Sequence, residues 1–273
     1  MPIIVKKRST VSPDRLKREL DKLYTQYNHR RYVHPDPLEF LFSYKEIRDR
    51  EIAGLIASAL AYGRVAQILK SVARVLDRMT PSPYLFLKNS DYEFMYKEFK
   101  DFRHRFADGH NLATLLFGIK NIINRFGSLY QCFFNGLSEK DENIVRAMRF
   151  FSHQLAGPEN KPGHLVARPE KGSACKRMNL FLRWMVRKDR VDPGGWDNIP
   201  PSKLIIPLDT HMHKIGLALN FTQRKQANMT AALEITSSFK RMIPDDPVRY
   251  DFVLTRFGIR NDMDMDCLID KTR

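Results

Sequence analysis

The sequence predicts an all-α protein, and three observations carry the prediction. Apolar residues recur at helical spacing through most of the 273 residues, strand-like alternation is scarce, and capping residues stand ahead of apolar runs. Ser12-Pro13-Asp14 opens the first helix as a cap followed by proline in the first turn, and Leu16, Leu20 and Leu23 continue one face. His34-Pro35-Asp36-Pro37 breaks the chain. Residues 49–78 carry a strong helical pattern that Gly63 divides, with Ile52, Leu55, Ile56, Ala59 and Leu60 before it and Val65, Ile68, Leu69, Val72, Val75 and Leu76 after it. Pro81 and Pro83 are expected to end the second half. Further helices are expected over 111–125, 129–134, 142–155 and 176–187, from Asp209 onward, and over 226–241 and 247–257. A basic segment bearing glycine and proline, 157–172, and an irregular loop, 189–207, lie between them. The polar tail 261–273 is expected to be loosely held.

With 43% apolar residues, the chain has enough length and apolar content for a single globular unit with a sizeable core. Its 46 Lys and Arg against 31 Asp and Glu leave a net charge of +15. Such an excess is the electrostatic footprint of a nucleic-acid binder, because every cation brought to a phosphate backbone releases counterions. Cys132, Cys175 and Cys267 are odd in number, widely spaced and form no Cys-x-x-Cys. That argues against a disulfide framework, a zinc site or a four-cysteine iron–sulfur cluster. Residues 1–18 lack the apolar core of a signal peptide, and no run of about 18 apolar residues occurs, so a cytoplasmic protein without a membrane span is expected.

Two segments concentrate the candidate chemistry. In Pro207-Leu208-Asp209-Thr210-His211-Met212-His213, Asp209 is a good helix cap, Pro207 fixes the approach to it, and the carboxylate would sit at the positive end of a helix dipole. In Gly172-Ser173-Ala174-Cys175-Lys176-Arg177-Met178, Lys176 begins a helix whose Met178, Phe181, Leu182 and Met185 face a core. A cation at a helix start does not suit the dipole. Placed just after a Gly-Ser turn, it suits a phosphate or an active site better.

Together the two segments resemble the helix-hairpin-helix DNA glycosylase superfamily, in which an early helix lysine is the nucleophile and a Pro-Val-Asp-Thr-His-like segment carries the catalytic aspartate. Lys176 and Asp209 match those positions, 33 residues apart (209 minus 176). That gap is similar to the archaeal-type 8-oxoguanine glycosylase/lyase branch, where the intervening loop is extended. Residues 247–258 resemble the family's late helix with its Phe257-Gly258 turn, and residues 51–72 its early helix pair. The likeness is carried mostly by residues 171–258, about half the chain once the early pair is added. The hairpin departs from the family: Pro169-Glu170-Lys171-Gly172-Ser173-Ala174-Cys175 keeps one glycine of the usual two, and it leaves Lys171 as a rival nucleophile.

The resemblance implies a two-lobed helical fold with a DNA-binding cleft between lobes, one lobe within about 40–210 and the other formed by 1–40 with 210–273. It implies a base-excision glycosylase with abasic-site lyase activity, acting as a monomer on damaged double-stranded DNA, associated with the nucleoid and using no cofactor. Base loss builds positive charge on the sugar, which the Asp209 carboxylate would stabilise. The Lys176 amine would form the Schiff base that permits strand cleavage. Extruding the base needs a side chain to fill the gap. Tyr62 and Arg64, in the Ala61-Tyr62-Gly63-Arg64 turn, are expected there, and Trp184 and Trp196 as walls of the base pocket. Gly172, Ser173, Arg177 and His211 are expected to contact DNA.

His211 and His213 are two apart on a helix and do not share a face, so no metal site is expected. Asp262, Asp264 and Asp266 lack the glycine and distant glutamate of a calcium loop. Lys6-Lys7-Arg8 is expected to be a mobile basic arm that adds general affinity. Two other readings follow from the same residues: a non-catalytic, structure-specific DNA-binding protein of the same fold, favoured by the altered hairpin, and an RNA-binding protein, for which no aromatic RNA-recognition run is present.

Overall fold

The structure is a computed structural model that describes residues 12–157 and 162–256. Lys6-Lys7-Arg8, the Phe257-Gly258 turn, Asp262, Asp264, Asp266, Cys267 and the rest of the tail lie outside the described residues. Those described are mostly helical.

Helix α1 (Pro13–Tyr27) buries Leu16 and Leu20. A 3-10 stretch, Pro37–Ser43, follows the prolines, with the Asp36 carboxylate accepting the Leu38 N–H at 3.0 Å. Helix α2 (Ile47–Ala59) has every residue from Glu51 to Ala59 buried, which is the signature of a helix enclosed on all sides. Helix α3 (Val65–Asp77) buries only the stripe Ile68, Ser71, Val72, Val75 and Leu76.

Pro81 and Pro83 do more than stop α3. Pro83 begins α4 (Pro83–Asn89), whose cap Ser82 accepts the Leu85 N–H at 3.1 Å, and Asp91 caps α5 (Tyr92–Phe99). Proline fits a first helical turn because its missing N–H would be unpaired there anyway. A two-residue hairpin follows, β1 (Arg103–His104) against β2 (Ala107–Asp108). Asp108 and Asn111 then close a capping box on α6 (Gly109–Phe126). Helices α7 (Leu129–Asn135) and α8 (Val145–Ala156) complete this part. After a turn-rich stretch come α9 (Lys176–Val186), α10 (Thr210–Ala218), α11 (Met229–Met242) and α12 (Asp251–Arg256).

Helix α2 packs against α4, α7, α9 and the 3-10 stretch, while α6 lies against α5, α7 and α8. At the α6–α8 crossing, Gly118 lets the backbones touch; a Cβ there would meet the Leu155 carbonyl oxygen at 2.1 Å. Helix α1 packs on α11 and α12, and α10 packs on α12. One continuous core joins Leu16 in α1 to Leu254 in α12. No described helix is long and apolar enough to cross a membrane.

Buried charge fixes the C-terminal half of α9. Arg183, 2% exposed, donates to Asp192 at 3.2 Å and also pairs with Asp251. Arg187 reaches Asp189 at 2.9 Å and Asp246 at 3.0 Å, and pairs with Asp192 as well. Tyr24 of α1 donates its hydroxyl to Asp189 at 2.8 Å. Burial pushes the Asp251 carboxyl up to about 6 despite its arginine partner.

Candidate functional site

The site forms where two helix N-termini approach each other. Asp209 caps α10 in extended conformation, its Oδ1 accepting the Met212 N–H at 2.8 Å. That leaves Oδ2 3.5 Å from the Lys176 Nζ at the first position of α9. Neither group is sealed: the lysine side chain is 37% exposed and the aspartate 20%. Lys176, rather than Lys171 at the exposed end of the preceding turn, is the lysine paired with Asp209.

The approach to Lys176 is unusual. A single 3-10 turn, Pro169–Lys171, precedes it and ends on left-handed Gly172. Cys175, immediately before Lys176, also takes a left-handed conformation with φ of 48° and supplies no side-chain cap. A non-glycine residue held there costs about 1–2 kcal/mol. Strain of this kind is tolerated where neighbours over-determine the backbone, and it concentrates at functional sites. The neighbours are identifiable: Met229 donates to the Gly172 carbonyl at 3.2 Å, Ser173 pairs with Asn228, and the Ser173 hydroxyl accepts the Cys175 N–H at 3.2 Å. The Cys175 thiol is buried and pushed up to about 11 by that burial, which removes it as a thiolate nucleophile at neutral pH.

Several expected site residues are engaged elsewhere. The Gly172 N–H donates to the Pro169 carbonyl at 3.0 Å and so is not presented to a phosphate. Arg177 is not a free cation, since its guanidinium donates to the Ala59 carbonyl at 2.5 Å and to the His164 carbonyl and lies 4.9 Å from the Tyr62 ring centre. Tyr62 is not a free wedge. Its hydroxyl donates to the His104 carbonyl at 2.9 Å and bonds the His164 imidazole at 2.8 Å, and its ring packs edge-on to both histidines. Burial lowers the basicity of both His104 and His164.

Trp184 and Trp196 do not wall an open pocket. Both are 0% exposed. Trp196 packs 5.1 Å from Phe181 and 5.6 Å from Phe133, and its indole N–H donates to Glu51 at 3.0 Å. Large apolar rings complete a core before they serve a site, and the helical spacing of Trp184 reflects that. Arg64, Ser173 and His211 are exposed, His211 on the first turn of α10 beside Asp209. His213 turns inward and bonds the Arg224 carbonyl at 2.8 Å. Among the described residues, no group of three or more His, Cys, Asp or Glu could hold a metal ion.

Sequence reasoning missed Glu51. This carboxylate, 1% exposed, accepts the N–H groups of Leu129 at 2.9 Å and Tyr130 at 3.1 Å and so caps α7 from inside the core. Burial raises it to about 7. An acid embedded in the run Glu51-Ile52-Ala53-Gly54-Leu55-Ile56 was the available signal. The β1–β2 hairpin was missed too, because two-residue strands leave no periodicity to read.

No curated protein and no solved structure matches this sequence. One family model, described as "Protein of unknown function (DUF2400)", matches residues 36–260, a span that contains Tyr62, Lys176 and Asp209. Because the match covers well over half of the chain, the protein belongs to the DUF2400 family.

Proposed function

We propose that this chain is a DNA base-excision glycosylase with associated abasic-site lyase activity, with Lys176 as nucleophile and Asp209 as its carboxylate partner. The observation that carries the reading is the 3.5 Å approach of Lys176 Nζ to Asp209 Oδ2 across two helix N-termini, with both side chains open to solvent. The sequence resemblance supplies the reaction class, and the +15 charge supplies the polyanionic substrate.

The chemistry follows from the two groups. As the base departs with the glycosidic electron pair, the sugar gains positive charge that a carboxylate stabilises. The attacking amine must be unprotonated, and Asp209 is the group beside it that can take the proton. Nitrogen bonds to the sugar carbon the base has left. Ring opening gives an iminium, and loss of the neighbouring carbon's proton expels the 3′-phosphate. The long lysine-to-aspartate spacing makes 8-oxoguanine the first base to test.

Borohydride reduces such an iminium to a stable amine, so the test is trapping on duplexes carrying 8-oxoguanine, an abasic site or no lesion. A covalent adduct on lesion DNA that disappears in Lys176→Gln supports the reading. An adduct on abasic DNA alone leaves a lyase with a different base specificity. No adduct on any duplex, with binding intact, overturns the lysine mechanism.

A further inference from the structure

We propose that the tip of the β1–β2 hairpin is a wedge that enters duplex DNA, with Phe106 stacking in the gap left by an extruded nucleotide. The inference rests on the glycosylase reading and adds to it the residue that holds the duplex open. Phe106 is 79% exposed, the most exposed of the large apolar side chains described. It occupies the second position of the two-residue loop between the strands.

The residues on the near side of the tip are nevertheless anchored. Arg105 takes the positive φ, 53°, that the first position of such a loop requires. Its side chain lies over Gly63, where a Cβ would meet the arginine Cδ at 2.8 Å. Below it, the His104 imidazole is fixed to the Ser71 hydroxyl at 2.8 Å and the Tyr62 carbonyl at 3.1 Å. A loop whose flanking residues are already held loses little backbone freedom on binding.

Charge and position select the occupant. The three segments forming this corner, 62–70, 102–107 and 162–168, contain no Asp or Glu, and Arg64, Arg103 and Arg105 are exposed on them. An aromatic plane ringed by cations fits a base stack flanked by phosphates. Side-chain contacts link the corner to the start of α9. The Phe106 ring lies 6.3 Å from that of His164, His164 lies 5.3 Å from Tyr62, and Tyr62 lies under Arg177, the residue following Lys176.

The test compares wild type, Phe106→Ala and Phe106→Trp on an undamaged duplex and on one carrying a tetrahydrofuran abasic analogue opposite 2-aminopurine. Anisotropy reads affinity and 2-aminopurine emission reads unstacking. Phe106→Ala is expected to bind the abasic duplex about tenfold more weakly, from the loss of one stacking contact, and to lose the emission change. Its affinity for undamaged duplex, carried by phosphate contacts, should change less than about twofold. Phe106→Trp should restore both signals, and all three proteins should melt together because the side chain is solvent-exposed. Phe106→Ala indistinguishable from wild type on the abasic duplex, while wild type forms its Lys176-dependent adduct, overturns the wedge alone. Wild type that neither prefers the tetrahydrofuran duplex nor traps on a duplex carrying a natural abasic site overturns the glycosylase reading and the wedge with it.

Discussion

Replacing Asp209 separates two tasks that one carboxylate performs. Its Oδ1 caps α10 through the Met212 N–H at 2.8 Å, and its Oδ2 faces Lys176 at 3.5 Å. Asparagine keeps the cap, because its side-chain carbonyl accepts the same bond, and removes the charge; alanine removes both. The cap is worth about 1 kcal/mol. An ion pair with a lysine that is 37% exposed adds at most about 1 kcal/mol after screening. Asp209→Ala should therefore lose about 1–2 kcal/mol, or roughly 2–8 °C in Tm for a chain of this size. Asp209→Asn should stay within about 1 kcal/mol of wild type. Activity should not follow that order, since both variants lack the charge: borohydride-trapped adduct is expected to fall about 100-fold or more in each. Scanning fluorimetry and trapping on the same preparations decide the matter. Asp209→Asn that traps like wild type would refute the catalytic role and leave Asp209 a cap. Asp209→Asn that melts with Asp209→Ala would refute the separation itself.

Three further outcomes are expected. Glu51→Gln should lose about 2–3 kcal/mol although nearly isosteric, because an amide NH2 would be turned toward at least one of three N–H donors; urea unfolding reads it. Glu51 is raised from its ordinary 4.5 to about 7 and Asp251 from 3.8 to about 6, so the folded protein holds protons there that the unfolded chain has released. Their contribution to stability is full below about pH 4 and is lost as pH rises toward about 7, so the slope of unfolding free energy against pH from 5 to 7 should flatten in Glu51→Gln. Duplex binding should weaken linearly on a log–log plot against salt, and Arg64→Gln should reduce the slope by about 1; an unchanged slope would remove Arg64 from the phosphate contacts.

The helices were legible in the sequence wherever one face is buried and the other wet. Residues 65–77 and 109–126 show the stripe and form α3 and α6. Asp209 as a cap and Lys176 as a helix start were legible for the same local reason. What was not legible was competition among distant partners. Arg177 looks like a phosphate ligand until Ala59, 118 positions away, claims its guanidinium. Tyr62 looks like a wedge until His104 and His164 close on it from separate segments. Sequence spacing gives a side chain's direction along its own helix, but not which remote carbonyl will meet it there.

The arrangement of α9 connects these findings. Its first residue is the proposed nucleophile, and its last turn is held by Arg183 and Arg187 in carboxylates drawn from the 189–192 loop, Asp246 and α12. Between the two ends, Phe181 and Trp184 lie wholly inside the core. Buried ion pairs of this kind contribute little net stability relative to an apolar replacement, since desolvation offsets their attraction. They do oppose rotation or sliding of the helix, because each arginine must keep several directed bonds at once. A lysine that has to meet a sugar carbon within a few tenths of an ångström needs a helix fixed against such motion. Asp251 belongs to this anchor through its pair with Arg183. The charged cluster therefore reads as the fixed end of a lever whose free end is Lys176, and the loop of 189–207 as what lets Asp209 return to face it.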